Sequence, residues 1–253
     1  MILKLQYGNK TILNSARTGY VGYEQPVPEP VVIVPSDMDF IYFANRFDGS
    51  KIPNSAPNST FGDYLKQGTL TLNGSGSAAY LTNGLSDSNY LYKDLTTTEL
   101  NNIKAVNNTY TFFIRVMQDQ SAMGGIVSTR INESNTYIYM IRAENYQLQI
   151  HTTSGTNLGN DFRLDTDRVY KVVINGSTFK AYNLDNNADY TLTYSTNRQM
   201  ASRMMSFNAY SAGAYGESKL SRFYALAGIP RATTAEEDAN IKYALMNQTI
   251  MGA

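Results

Sequence analysis

His151 is the only histidine and there is no cysteine, so chemistry falls to 21 carboxylates, 20 tyrosines and the hydroxyl and amide side chains. A two-histidine metal site, thiolate catalysis, a thiolate metal site and a disulfide framework are excluded. A Ser-His-Asp relay would have to pass through His151, and no Gly-x-Ser-x-Gly elbow accompanies it. The glycines of "NGSGSAAY" lack a following Gly-Lys-Ser/Thr, which excludes a P-loop. One acid-rich cluster, Glu236-Glu237-Asp238, opens an expected helix, where carboxylates favour the dipole. The other, "LDTDR", reads as a loop. Asp48, Asn54 and Asp63, or Asp185 and Asp189, are eligible for calcium, which takes oxygen ligands at loop ends. Without a dense carboxylate cluster, neither a metal nor a cofactor is expected.

The elements that must position these groups are strands. In "YKVVINGSTFKAYNL", residues 170–184, Tyr170, Val172 and Ile174 alternate with Lys171 and Val173. Asn175-Gly176 tolerates positive φ, and Phe179 to Tyr182 resumes the alternation, a strong hairpin signal. Similar short segments recur from residue 40 to residue 226, among them "FIYFANRF", "TYTFFIRVMQ", "TYIYMIRA" and "KLSRFYAL". Many short strands separated by turn clusters indicate an antiparallel two-sheet sandwich, an all-β fold. Two helices are expected. "TTTELNNIKAV" gives one or two turns, and "TTAEEDANIKYALMNQ" gives a C-terminal helix with a capping box from Thr233 to Glu236. Ile241, Ala244 and Leu245 share one face of that helix, which should lie as a lid on the sandwich.

Residues 1–24 differ in kind. Ile2, Leu3 and Leu5 precede Gly8-Asn9, and Ile12 and Leu13 follow it, so this arm reads as a short apolar hairpin. Residues 25–37 hold Pro26, Pro28, Pro30 and Pro35, the spacing of a semi-rigid extended linker. Residues 38–253 form the sandwich. Such a small hairpin cannot make a stable core alone, so its apolar set is expected to attach the chain to a neighbouring subunit or particle.

Composition narrows the partners. Net charge is zero and charged residues make up 17 %, so no phosphate-binding surface is expected and nucleic acid is excluded. The start, "MILKLQYGNK", lacks the apolar core and cleavage site of a signal peptide. No run of about 18 apolar residues predicts membrane insertion.

Three segments resemble the concanavalin A-like, laminin-G-like jelly-roll family, over roughly residues 38–250. Asp167 to Leu184 is similar to the family's aspartate, aromatic strand, Asn/Asp-Gly-Ser turn and returning strand, with Tyr170 where members usually place tryptophan. Thr109 to Met117 resembles its aromatic strand leading into Gly-Ile-Val-Ser. "LSRFYALAGIPRATTAEE" resembles its last strand and closing loop. The resemblance implies a jelly-roll sandwich, and none of these motifs is catalytic. Glycosidases on such sandwiches carry Glu-x-Asp-x-x-Glu on one strand face for paired carboxylate chemistry. That spacing is absent, and no enzyme is expected.

The resemblance also brings Arg130, Asn135, Tyr137, Tyr139, His151, Tyr210 and Tyr215 near one another as a candidate carbohydrate surface, with core packing the alternative for each tyrosine. A lectin-like domain without an export signal, on a separate arm, is expected to be a virion structural protein. It would be a phage capsid decoration, head fibre or tail-associated protein, joined to other virion proteins or to copies of itself, and able to meet host surface polysaccharide. The alternatives are a carbohydrate-binding module of a secreted bacterial protein and a glycoside hydrolase.

Overall fold

A computed structural model describes residues 3–7, 10–14 and 33–250, apart from 85, 87, 106, 120–122, 131–136, 152–154, 194–201 and 208–220. Within the strands, the side chains of 3–7, 10–14, 123, 129, 130, 137–140, 151, 155 and 157 also lie outside the description. The chain divides into two units, residues 1–31 and 32–253. In the first, β1 (Leu3–Tyr7) and β2 (Lys10–Asn14) pair antiparallel, with Leu5 opposite Ile12 and Lys4 opposite Leu13. Ile2 lies outside the described residues.

The second unit is a sandwich of two eight-stranded antiparallel sheets. Its elements begin with β3 (Phe40–Phe43), β4 (Lys51–Ile52), β5 (Tyr64–Gln67), β6 (Thr71–Asn73), β7 (Tyr80–Thr82) and β8 (Tyr90–Asp94). After α1 (Thr97–Lys104) come β9 (Thr109–Met117), β10 (Met123–Arg130), β11 (Tyr137–Glu144), β12 (Gln147–His151) and β13 (Gly155–Asn157). The chain closes with β14 (Tyr170–Asn175), β15 (Thr178–Asn183), β16 (Asp189–Thr193), β17 (Arg203–Ser206), β18 (Arg222–Ile229) and α2 (Ala235–Asn247). The first sheet runs β16-β15-β14-β9-β18-β7-β6, with β3 sharing β18's edge with β7. The second runs β13-β12-β11-β10-β17-β8-β5-β4.

The hairpin β14–β15 has the anticipated faces. Tyr170, Val172, Ile174 and Phe179 are buried in the core between the sheets. Asn175 pairs with Thr178, so the two-residue turn is Gly176-Ser177, with Gly176 at φ 55°. Positive φ at the first central residue is what a type II′ hairpin turn asks for.

A second core explains the unbroken apolar runs of β3, β9 and β18. Phe40 and Tyr42 point between the sheets, whereas Ile41 and Phe43 point outward with Phe113, Ala225, Ala227 and Ile229. These meet Ile241, Ala244 and Leu245 of α2, as well as Val34 and Met38. Both faces of the central strands are thus buried, and alternation is lost. α2 begins with a capping box one residue later than expected. Thr234 accepts from the Glu237 amide and the Glu237 carboxylate takes the Thr234 amide, while Thr233 bonds to Asp238. Both threonines have a glutamate three residues on, and Thr234 sits at the true boundary. At the other end Arg115, 4 % exposed, donates to the carbonyls of Ser77, Leu245 and Met246 and forks onto Asp167 at 2.8 and 2.7 Å.

Candidate functional site

A cleft of about 310 Å³ opens at one edge of the sandwich, between residues 36–39, residues 58–61 and the first turns of α1. Asp39 is set in it by the strand that follows. Its amide donates to the Gly228 carbonyl at 2.9 Å, and its carbonyl accepts from Asn54 and Ser59. Asn54 Oδ1 also takes the amides of Ile41 and Ala56, both at 3.0 Å, which ties the 54–61 loop to β3. The Asp39 carboxylate accepts from the buried Tyr110 hydroxyl at 3.0 Å. Gly228 makes room for this pair, because a Cβ there would lie 2.7 Å from the Tyr110 hydroxyl and 2.6 Å from the Phe40 ring. Burial pushes the Asp39 carboxyl up to about 6, against the lowering pull of the Tyr110 hydrogen bond.

The other walls are polar and largely held in place. Thr96, which caps α1, and Thr98, Glu99 and Asn102 within it form one wall. Thr96 and Glu99 form a capping box, and Lys93 meets Glu99 at 3.2 Å. Asp37 is gripped by Arg231 through two hydrogen bonds of 2.6 and 2.9 Å, which hold its carboxyl below the usual range. Phe61 is buried and offers the cleft no open ring face. Such a lining can bond ligand hydroxyls through carboxylates, threonine and serine hydroxyls and asparagine amides.

The outer side of the second sheet carries a mixed set of side chains, part of it buried. Register aligns Leu65, Tyr92, Met205 and Ser128 in one row, which runs on to Met140 and His151. The Arg203 guanidinium covers the Tyr92 ring at 4.4 Å and pairs with Asp94 at 2.6 Å. Tyr90 meets Tyr92 edge-on at 6.0 Å. Nearby, Arg142 and Gln149 are buried and bonded at 2.8 Å.

Of the carbohydrate candidates, Arg130 and Tyr137 are direct partners across β10 and β11, Tyr139 lies in β11, and His151 closes β12 opposite Met140. Their side chains lie outside the description, as do Asn135, Tyr210 and Tyr215 altogether. The residues eligible for calcium have structural partners. Asp48 accepts from Ser50 and Lys51, Asp63 from Lys51 and Asn54, and Asp185 and Asp189 pair with Lys242 and Lys180. Among the described residues, no group of three or more acidic, histidine or cysteine side chains is spaced to hold a metal. The Asp39–Tyr110 pair escaped sequence reading because its members are 71 residues apart. "SDMDF" looks like any turn before a strand.

No protein-family model matches the chain, and no curated protein sequence matches it. Solved structures do. The chain is similar to the Trypanosoma rangeli sialidase in complex with sialic acid, at 8 % identity and a TM-score of 0.57, over 85 % of this chain and 33 % of that one. The chain therefore spans about a third of that enzyme's length. It is similar to the botulinum neurotoxin serotype D/C binding domain at 11 % identity and a TM-score of 0.57, over 83 % of this chain and 52 % of that one. It is also similar to domain 4 of AbnA, a GH43 extracellular arabinanase from Geobacillus stearothermophilus, in complex with arabinotriose. That match has 12 % identity and a TM-score of 0.54, over 81 % of this chain and 98 % of that domain. These likenesses establish the fold, an antiparallel two-sheet jelly-roll sandwich.

Proposed function

We propose that the sandwich is a non-enzymatic carbohydrate-binding domain, displayed on a virion by its N-terminal hairpin. The observation that carries the binding reading is the cleft at Asp39, a concave site walled by carboxylates, hydroxyls and amides. Such groups match the paired donors and acceptors of sugar hydroxyls. The arabinanase domain of like fold, in complex with arabinotriose, supports the same reading. Affinity per site would be weak, about millimolar to micromolar, and useful through many copies on one particle. The absence of the Glu-x-Asp-x-x-Glu spacing, and the engagement of Asp37 by Arg231, favour binding over cleavage.

A glycan array followed by titration calorimetry tests this. Binding should fall at least about fivefold in Asn102→Arg, which fills the cleft, and hold in Tyr92→Ala. The reverse would move the site to the second sheet, where Tyr137 and His151 lie. Blank arrays would defeat the binding reading, and release of reducing ends would make the protein an enzyme.

The display reading rests on the hairpin being a unit of its own, followed by the proline-spaced segment. Because Val34 is buried beneath α2, the chain shortened to residues 33–253 is the informative variant. It should unfold within a few degrees of the full chain yet fail to join particles. Incorporation of the shortened chain would remove the arm's role.

A further inference from the structure

The charge of the cleft bears on which sugars it admits. Asp37, Asp39 and Glu99 all line it. The cations bonded to its walls already have partners: Lys93 meets Glu99, and Arg231 is shared by Asp37 and Glu237. Asp39 accepts instead from the neutral hydroxyl of Tyr110, through one of its two oxygens. The carboxylates Glu99 and Asp37 act on it with like charge.

We infer that the cleft selects amine-bearing sugars, of the 2-amino-2-deoxyhexose kind, over neutral ones, and excludes sugars that carry a carboxylate. This rests on the carbohydrate-binding reading and refines it. A ligand ammonium beside Asp39 would supply the cation that the carboxylate does not find among the described residues, in a charge-assisted hydrogen bond stronger than a hydroxyl contact. Thr98 and Asn102 on α1 remain for the ring hydroxyls. A uronate or sialate carboxylate in the same place would face three carboxylates, and like charges this close are strongly disfavoured.

The test uses the full chain at pH 7 and three probes of equal length: the trimers of glucosamine, N-acetylglucosamine and galacturonic acid. Calorimetry or chemical-shift titration should give glucosamine an advantage of about tenfold over N-acetylglucosamine, with galacturonic acid undetectable. Asp39→Asn keeps an acceptor for Tyr110 and should bring the ratio of glucosamine to N-acetylglucosamine affinity to about one, whatever it does to the affinity of each. Thr98→Lys, on an exposed position of α1, puts a cation in the cleft and should admit galacturonic acid. If N-acetylglucosamine binds but glucosamine binds no tighter, or if neither variant moves the ratio, the charge selection is wrong and the binding reading stands. If none of the three binds and the wider array is blank, the binding reading itself fails.

Discussion

The outer faces of the two sheets differ, and the difference is written in their sequences. Under α2 the first sheet buries Ile41, Phe43, Phe113, Ala225, Ala227 and Ile229 on its outer side. Its strands therefore read as continuous apolar runs, "FIYF", "TFFI" and "YALAGI". On the second sheet, Ser128, Arg142, Gln149 and the Tyr92–Arg203 pair occupy the outer positions, so "QLQI" and "NYLYKD" keep their alternation. A sheet's cover can thus be read from its strands before the covering element is located.

The largest effect that would break this comparison is at Phe113. It is fully buried between the first sheet and α2, and Phe113→Ala should cost about 3–5 kcal/mol in urea unfolding. A loss under about 1 kcal/mol would mean that α2 is not a true core layer. Next is Arg115→Ala, which takes a donor from the Leu245 and Met246 carbonyls at the end of α2, whereas the Ser77 carbonyl keeps Gln248. About 2–4 kcal/mol should be lost. Hydrogen exchange should speed up in the last turn of α2 first.

A smaller effect depends on pH. The folded Asp39 carboxyl titrates near 6 and the unfolded one near 3.8, so the folded state binds its proton more tightly. Stability from this group is full below about 4 and is lost as pH rises through about 6. Asp39→Asn should match the parent at pH 4 and exceed it by about 1 kcal/mol at pH 8, after discounting for solvent screening. Glu237 has the opposite sign. Arg231 holds it at about 2 against an ordinary 4.5, so its contribution is lost as pH falls from 4.5 through about 2. A parent with flat stability between pH 4 and 8 would contradict the Asp39 assignment. Smallest of all, Tyr92→Ala on the second sheet should change stability by no more than about 0.5 kcal/mol, as half-buried surface substitutions do.

The strands long enough to show a pattern were legible in the sequence, and so was the hairpin at residues 170–184. β4, with Lys51–Ile52, and β13, with Gly155–Asn157, are two and three residues long and carry no period to read. β5 buries Tyr64 alone while Leu65 is 38 % exposed, so its polarity resembles a loop. The Thr96–Glu99 capping box was plain in "TTTEL" but went unread beside the stronger second helix. The cleft was beyond local reading, since it is assembled from residues 36–39, 58–61 and 96–102 and acquires its buried carboxylate only when β9 brings Tyr110 beneath it. Sequence patterns report which face of an element is covered. They do not report which turns converge.

The position of β18 has a consequence for synthesis. This strand is hydrogen-bonded to β9 along one edge and to β3 and β7 along the other, yet it follows all three in the chain and is the last of the described strands. Until residue 229 leaves the ribosome, the apolar edges of three earlier strands stay unpaired, and the floor on which α2 rests is missing. Folding of the first sheet therefore waits on residue 229 and is slow, as pairing across such sequence distances is. A chain halted before Arg222 would expose strand edges suited to pairing with other chains and should collect on chaperones or aggregate.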